Sequence, residues 1–185
     1  MLLNNFSLLP CPVDNLKLML ELSPYLSAAS RLEGLRKAAP EDDEAIATLW
    51  RAAWCSAHPE VTAVDPPDHW LSRVRTDLGS PYLMLVREVA GQIQAFLVLQ
   101  LEQRYLYQLH VAPAFQSQGQ GTRLLQWVCA AFPEGWSLHT ATSNWRGRAL
   151  YERFGLQAGA VDVNPESGRE RVIYRWQNSE RQCQG

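Results

Sequence analysis

No CxxC pair occurs in this 185-residue chain, and none of its four cysteines, Cys11, Cys55, Cys129 and Cys183, has a histidine at zinc-ligand spacing. A bound metal is therefore not expected, and the thiols read as the reduced ones of a cytoplasmic protein. No apolar run approaches the ~18 residues of a membrane span. The opening Met1-Leu-Leu-Asn-Asn-Phe6 lacks the basic stretch that begins a signal peptide, and Pro10 and Pro12 interrupt the residues after it. Charge of one sign is scarce too: a formal net charge of −2 leaves no general field to attract nucleic acid or an anionic membrane surface. Internal repeats and low-complexity blocks are missing. What remains, 46% hydrophobic and 19% charged residues, is an ordinary globular composition in a chain long enough to bury one core.

Along the chain, residues 1–30 read as an N-terminal extension, either an accessory helix or disordered, with Pro24 ending the short apolar stretch Leu16 to Leu22. A domain is expected over 31–178 and a polar tail over 179–185. Within the domain, Leu32 to Ala38 forms a first strand, and Pro40 with the acids behind it starts a helix to about Ser56, whose Ile46, Leu49, Trp50, Ala53 and Trp54 share one face. Asp68 caps a second helix, His69 to Leu78. Tyr82–Glu88 and Gln94–Gln100 make a hairpin across Val89 to Ile93, and Tyr105–Val111 is the next strand. Helices Thr122–Phe132 and Trp145–Phe154 alternate with strands Ser137–Ala141, Leu156–Val163 and Val172–Trp176. The pattern predicts a mixed α/β fold with one central sheet of about seven strands and helices on both faces. A doubly wound nucleotide fold is excluded because the middle strands are hairpin-linked.

The most informative stretch runs from Leu106 to Leu125, passing from strand to glycine-containing turn to helix without a spare residue. Glycine at 119 and 121 removes side chains where a main chain must approach a diphosphate. The N–H groups of Ser117, Gln118, Gly119, Gln120, Gly121 and Thr122 then sit at the positive end of the following helix. No Lys-Ser/Thr pair follows Gly121, which disfavours a P-loop nucleotide site. Arg123, Arg146 and Arg148 could meet an outlying phosphate, though each also reads as a solvated helix residue.

Gln116-x-x-Gly119-x-Gly121, with Pro113 before it and Leu124-Leu125 after it, resembles the acyl-CoA-binding turn of the GNAT acetyltransferase superfamily. Asn144-Trp-Arg-Gly-Arg-Ala-Leu-Tyr151-Glu-Arg-Phe-Gly-Leu156 resembles that family's second signature, in the right order and joined by the expected strand. The resemblance covers about Leu32 to Gln177. It implies acetyl-CoA as cosubstrate, held by the turn from Gln116 to Thr122 and by Asn144, with the backbone of Leu109 and Val111 lent to the pantetheine arm. Asn144 reads equally well as a helix N-cap. By the same resemblance Tyr151 protonates the departing thiolate; a phenol, with an ordinary pKa of about 10, keeps its proton at neutral pH. Packing in the core is its alternative.

An ammonium cannot attack a thioester, so a base is needed. His139 stands where some relatives that acetylate N-terminal amines carry a glutamate, and a histidine has a suitable pKa. This departure from the family pattern leaves a water chain, Tyr105, Tyr107 and Glu102 open as alternatives, while His110 is expected to pack against a helix. The resemblance places the acceptor between the loop holding Trp54, His58, Glu60, Asp65, Asp68 and Trp70 and the turn holding Asp162 and Glu166. Carboxylates beside tryptophans would suit a cationic amine. The leading reading is an N-acetyltransferase of a small-molecule primary amine acting by direct attack in a ternary complex. Acetylation of peptide N-termini or lysines, and a silent CoA-binding module, stay open, as does a homodimer.

Overall fold

The computed structural model describes residue 25 and residues 32–79, 81–165 and 167–178. The expectation for residues 1–30 falls outside these except at Tyr25, whose ring lies 5.6 Å from that of Phe132. The tail 179–185 and Glu166 also lie outside the described residues.

Seven strands make one sheet: β1 (Leu35–Lys37), β2 (Leu83–Val89), β3 (Gln92–Gln100), β4 (Tyr105–Val111), β5 (Trp136–Ala141), β6 (Gln157–Val163) and β7 (Glu170–Trp176), in the order β1-β2-β3-β4-β5-β7-β6. Helices α1 (Asp43–Ala57), α2 (Pro67–Asp77), α3 (Gln120–Ala131) and α4 (Trp145–Phe154) connect them. β3 shows why helices must cover both faces: every residue from Gln94 to Leu99 is buried, so its side chains alternate between two apolar layers. Ala95, Leu97 and Leu99 pack with Leu124, Leu125 and Val128 of α3 and Tyr151 of α4. Phe96 and Val98 pack instead with Ile46, Leu49 and Trp50 of α1 and Trp70, Val74 and Leu78 of α2.

Several boundaries differ from the sequence reading for local reasons. The second helix begins at Pro67, with Pro66 as its N-cap, so Asp68 lies in the first turn rather than capping; proline is preorganised for the first helical position. The hairpin between β2 and β3 turns on two residues, Ala90 (φ 51°) and Gly91 (φ 76°), tighter than the Val89 to Ile93 connection expected. α3 begins at Gln120, two residues early, which moves Gly121 from the turn into the helix.

The feature that positions the site is a discontinuity in the sheet. β3 and β4 pair antiparallel from Ala95↔Val111 to Gln100↔Tyr105, and β5 pairs with β7 from Trp136↔Trp176 to Ala141↔Arg171. β4 and β5, the parallel neighbours, meet only at Tyr105↔Ser137, supported by Ser137 N–H donating to Arg104 O at 3.1 Å. Beyond that point they diverge, and the rest of the β4 edge opens onto a cleft.

Candidate active site

The cleft is a cavity of about 90 Å³ lined by Leu109, His110, His139, Thr140, Asn144 and Tyr151, with the 106–108 stretch of β4 along its wall. Its larger companion on the surface, about 370 Å³ between α1 and α2, lies among Glu44, Arg51 and Asp68 and holds none of the motif residues. The small cleft is the one that joins the β4 edge, the Asn144 cap and the Tyr151 phenol.

At one end of β4 the chain passes through Pro113–Phe115 into the glycine turn. Ser117 (φ 60°) and Gly119 (φ 78°) adopt left-handed backbone, and Ser117, Gln118 and Gly119 are exposed. The first intrahelical bond of α3 runs from Arg123 N–H to Gly119 O at 3.0 Å, so the amides of Gln120, Gly121 and Thr122 have no acceptor within the helix. This is an anion mouth of open N–H groups on a twelve-residue helix. Gln116 braces it, its Nε2 donating to Val111 O at 3.0 Å, and Gln118 Nε2 donates to Ala114 O at 2.9 Å. The Val111 carbonyl is thus already engaged, whereas Leu109 faces the cleft.

The two glycines serve different ends. A side chain at Gly119 would meet open space, so its need for glycine is the positive φ alone. A Cβ at Gly121 would sit 2.8 Å from Leu150 Cδ2, so this glycine lets α3 lie close against α4. The sequence reading of Gly121 as clearing room for a diphosphate does not include this contact with Leu150.

Asn144 caps α4, its Oδ1 accepting from Gly147 N–H at 3.0 Å while Nδ2 donates to Thr140 Oγ1 at 2.9 Å. Such a cap is worth about 1 kcal/mol and fixes the helix that carries Tyr151. Tyr151 is 8% exposed, its ring 5.5 Å from Tyr174, and burial pushes its pKa up to about 12. Tyr174 in turn donates to Glu152 Oε1 at 2.5 Å and accepts from Arg148 Nε at 3.2 Å.

His139 comes from β5. Its Nδ1 lies 2.9 Å from the Tyr105 hydroxyl, and burial, with Arg171 nearby, holds its pKa below the ordinary 6.5. Burial also raises the Tyr105 pKa. Rings continue along β4: Tyr105 to Tyr107 at 6.4 Å, then Tyr107 stacked on Tyr82 at 5.1 Å. His110 packs between Trp50 and Phe96, and enclosure drives its pKa far down.

Other candidates are placed elsewhere. Glu102 is exposed in the turn after β3, away from the cleft. Arg148 is bound to Thr142 O and Tyr174; Arg146 reaches Ser56 Oγ at 3.5 Å; Arg123 is exposed on the first turn of α3. On the acceptor side Trp70 is 3% exposed, with Nε1 donating to Asp65 O, so it offers no free face. Trp54 stacks on His58 at 4.5 Å and carries the Arg169 guanidinium 5.7 Å from its ring. Asp162 is paired with Arg171 at 2.6 Å. Sequence reasoning missed Arg87, Gln94 and the inward turn of the Gln120 side chain, a buried polar chain behind the mouth. A charged residue inside an otherwise apolar strand was the available signal.

A mixed sheet opened at its parallel pair, with a glycine-turn helix mouth at the edge of the opening, is the architecture of an acetyltransferase. The chain belongs to the acetyltransferase (GNAT) family, whose model matches residues 39–156, and it is an acyltransferase. Solved structures agree in fold. The PaiA N-acetyltransferase of Thermoplasma acidophilum, in complex with coenzyme A, is 16% identical with a TM-score of 0.58 over 77% of this chain and 98% of its own. The ribosomal-protein-S18-alanine N-acetyltransferase of Escherichia coli is 19% identical with a TM-score of 0.57, over 78% and 93%. The yncA structure of Salmonella typhimurium with its cofactor acetyl-CoA is 18% identical with a TM-score of 0.53, over 79% and 94%. No curated protein sequence matches the chain significantly. Among the described residues no helix is long and apolar enough to cross a membrane, and no cluster of three potential ligands could hold a metal.

Proposed function

We propose that the protein transfers an acetyl group from acetyl-CoA to the primary amine of a small molecule, by direct attack in a ternary complex. The observation that carries this is the β4–β5 divergence, which sets an open strand edge, the Asn144 cap and Tyr151 around one narrow cleft, with the glycine turn following at the end of the same strand. The coenzyme A and acetyl-CoA bound by similar folds supply the donor chemistry.

In this reading the diphosphate lies on the amides of residues 117 to 122, and the pantetheine arm runs along β4 at Leu109. Asn144, already oriented by Thr140 and Gly147, offers its amide to the arm. His139 is neutral at working pH because its pKa is lowered. With Nδ1–H donated to the Tyr105 oxygen, its Nε2 lone pair takes the proton of the ammonium. The free amine attacks the thioester carbonyl carbon, the tetrahedral species gives up its remaining ammonium proton to solvent, and it collapses to the neutral amide as the carbon–sulfur bond breaks with its electron pair on sulfur. Tyr151 meets that thiolate as a hydrogen-bond donor. A phenol at about 12 holds its proton more tightly than an ordinary thiol of about 8.5, so donation stabilises the thiolate more than outright transfer does.

The test is thiol release from acetyl-CoA across a panel of small amines, N-terminal peptides and lysine peptides, each product checked by mass. Turnover confined to small amines supports the reading. Turnover confined to peptides moves the acceptor to a polypeptide, and donor binding without release on any amine makes the protein a CoA-binding module.

A further inference from the structure

Behind the donor mouth, on the side away from solvent, lies a buried cation that no carboxylate pairs among the described residues. Arg87 of β2 is 4% exposed, and its charged neighbour Glu88 is held by Arg36 at 2.6 Å. Arg87 Nη1 donates to Gln94 Oε1 at 2.9 Å, and Nε has no acceptor among the described residues. The same Gln94 oxygen accepts from Gln120 Nε2 at 3.2 Å; Gln120, the first residue of α3, is 9% exposed with an unpartnered Oε1. Register explains the reach. Arg87 stands opposite Ala95, and Ala95 opposite Val111, so all three share the α3-facing side of the sheet, and the small alanine leaves room for the long side chain to cross β3.

A guanidinium is a fixed positive charge, and burying one without a carboxylate is unfavourable. Unsatisfied buried polar atoms in a native fold ask for an explanation. Here two of them lie at one place, directly under the helix turn whose outer amides are open. We propose that Arg87 is a positioning residue for the donor. Through Gln94 it fixes Gln120 and thus the first turn of α3, and its charge adds to the positive potential felt by the diphosphate of the acyl-CoA. The cation's partner is then the ligand's anion, across the turn, rather than a protein carboxylate.

This rests on the donor assignment above, and the experiment separates the two. Acetyl-CoA binding is titrated by calorimetry, and ligand-free melting is followed, for wild type, Arg87→Met, Arg87→Gln and Arg87→Lys. Both neutral variants are expected to bind acetyl-CoA about tenfold more weakly, the scale of one charge acting at roughly 10 Å through an effective dielectric of about 20. Their ligand-free melting temperatures are expected to equal or exceed wild type, because an unpaired buried charge has been removed. Arg87→Lys restores most of the affinity. Affinity unchanged in both neutral variants overturns the proposal. So does a loss of affinity that lysine does not restore, or one accompanied by a lower ligand-free melting temperature, because either marks Arg87 as merely structural. A wild-type protein that binds no acetyl-CoA overturns the donor assignment as well.

Discussion

At the β4–α3 turn the groups that face outward are backbone amides, fixed by two left-handed residues and braced by Gln116, and they have no acceptor of their own within the helix. Across the cleft, on the α1–α2 loop and the β6–β7 hairpin, the side chains best suited to an amine are held by neighbours: Trp70 by burial and Asp65, Trp54 by His58 and Arg169, Asp162 by Arg171. One side is built from main chain whose amides have no acceptor within the helix. The other is built from side chains that already satisfy each other. A ligand site made of backbone depends on glycine, φ and helix position, which sequence records; one made of rearrangeable side chains depends on tertiary neighbours, which it does not.

The comparison is sharpest at Tyr151. Tyr151→Phe is expected to lower kcat by about 100-fold while leaving the acetyl-CoA Kd within about twofold, since the phenol serves the transition state. Single-turnover rates alongside a binding titration check this, and wild-type turnover would remove Tyr151 from the chemistry. Next come the glycines. Gly121→Val is expected to destabilise by roughly 1–3 kcal/mol through overpacking against Leu150, with Leu150→Ala restoring part of the loss. Gly119→Ala is expected to cost about 1–2 kcal/mol from the left-handed backbone, and Leu150→Ala should not rescue it. Denaturant melts of the singles and doubles distinguish clash from strain.

Protonation gives a third handle. His139 has its pKa lowered, so it is deprotonated and competent above that value, and the acidic limb of kcat/KM should fall below pH 6.5. His139→Ala should abolish that limb; a profile identical to wild type would exclude the residue. His110 acts on stability instead. Its folded-state pKa is depressed, so the unfolded chain binds the proton more readily, and stability should decline as pH falls below 6.5. Thermal melts of wild type and His110→Gln show it, the variant declining less. The smallest effect is expected at Asp162→Asn: its pair with Arg171 is exposed and screened by solvent, so kcat/KM for the amine should change less than about threefold. A large change there would show that the acceptor side, like the donor side, is already built for its ligand.

The strand–turn–helix unit from Tyr105 to Ala131 was legible because hydrophobic alternation, a proline and two glycines each point the same way. The Asn144 cap was legible for the same reason, since side chain and backbone positions are local. The role of Gly121 was not, because Leu150 lies on another helix and no local pattern reveals that contact. Nor was the Tyr105–His139 hydrogen bond, which depends on β4 and β5 meeting at a single residue pair before parting. Arg87 sits inside a strand that reads as core, and only the register across Ala95 shows where its side chain goes.

Amide hydrogen exchange with and without acetyl-CoA tests the backbone-built donor site most directly. The account predicts that added acetyl-CoA slows exchange at residues 117–122 and along the 106–111 edge of β4, while 58–65 and 157–163 are unchanged. Protection appearing on the α1–α2 loop or the β6 edge, with none at 117–122, would contradict it.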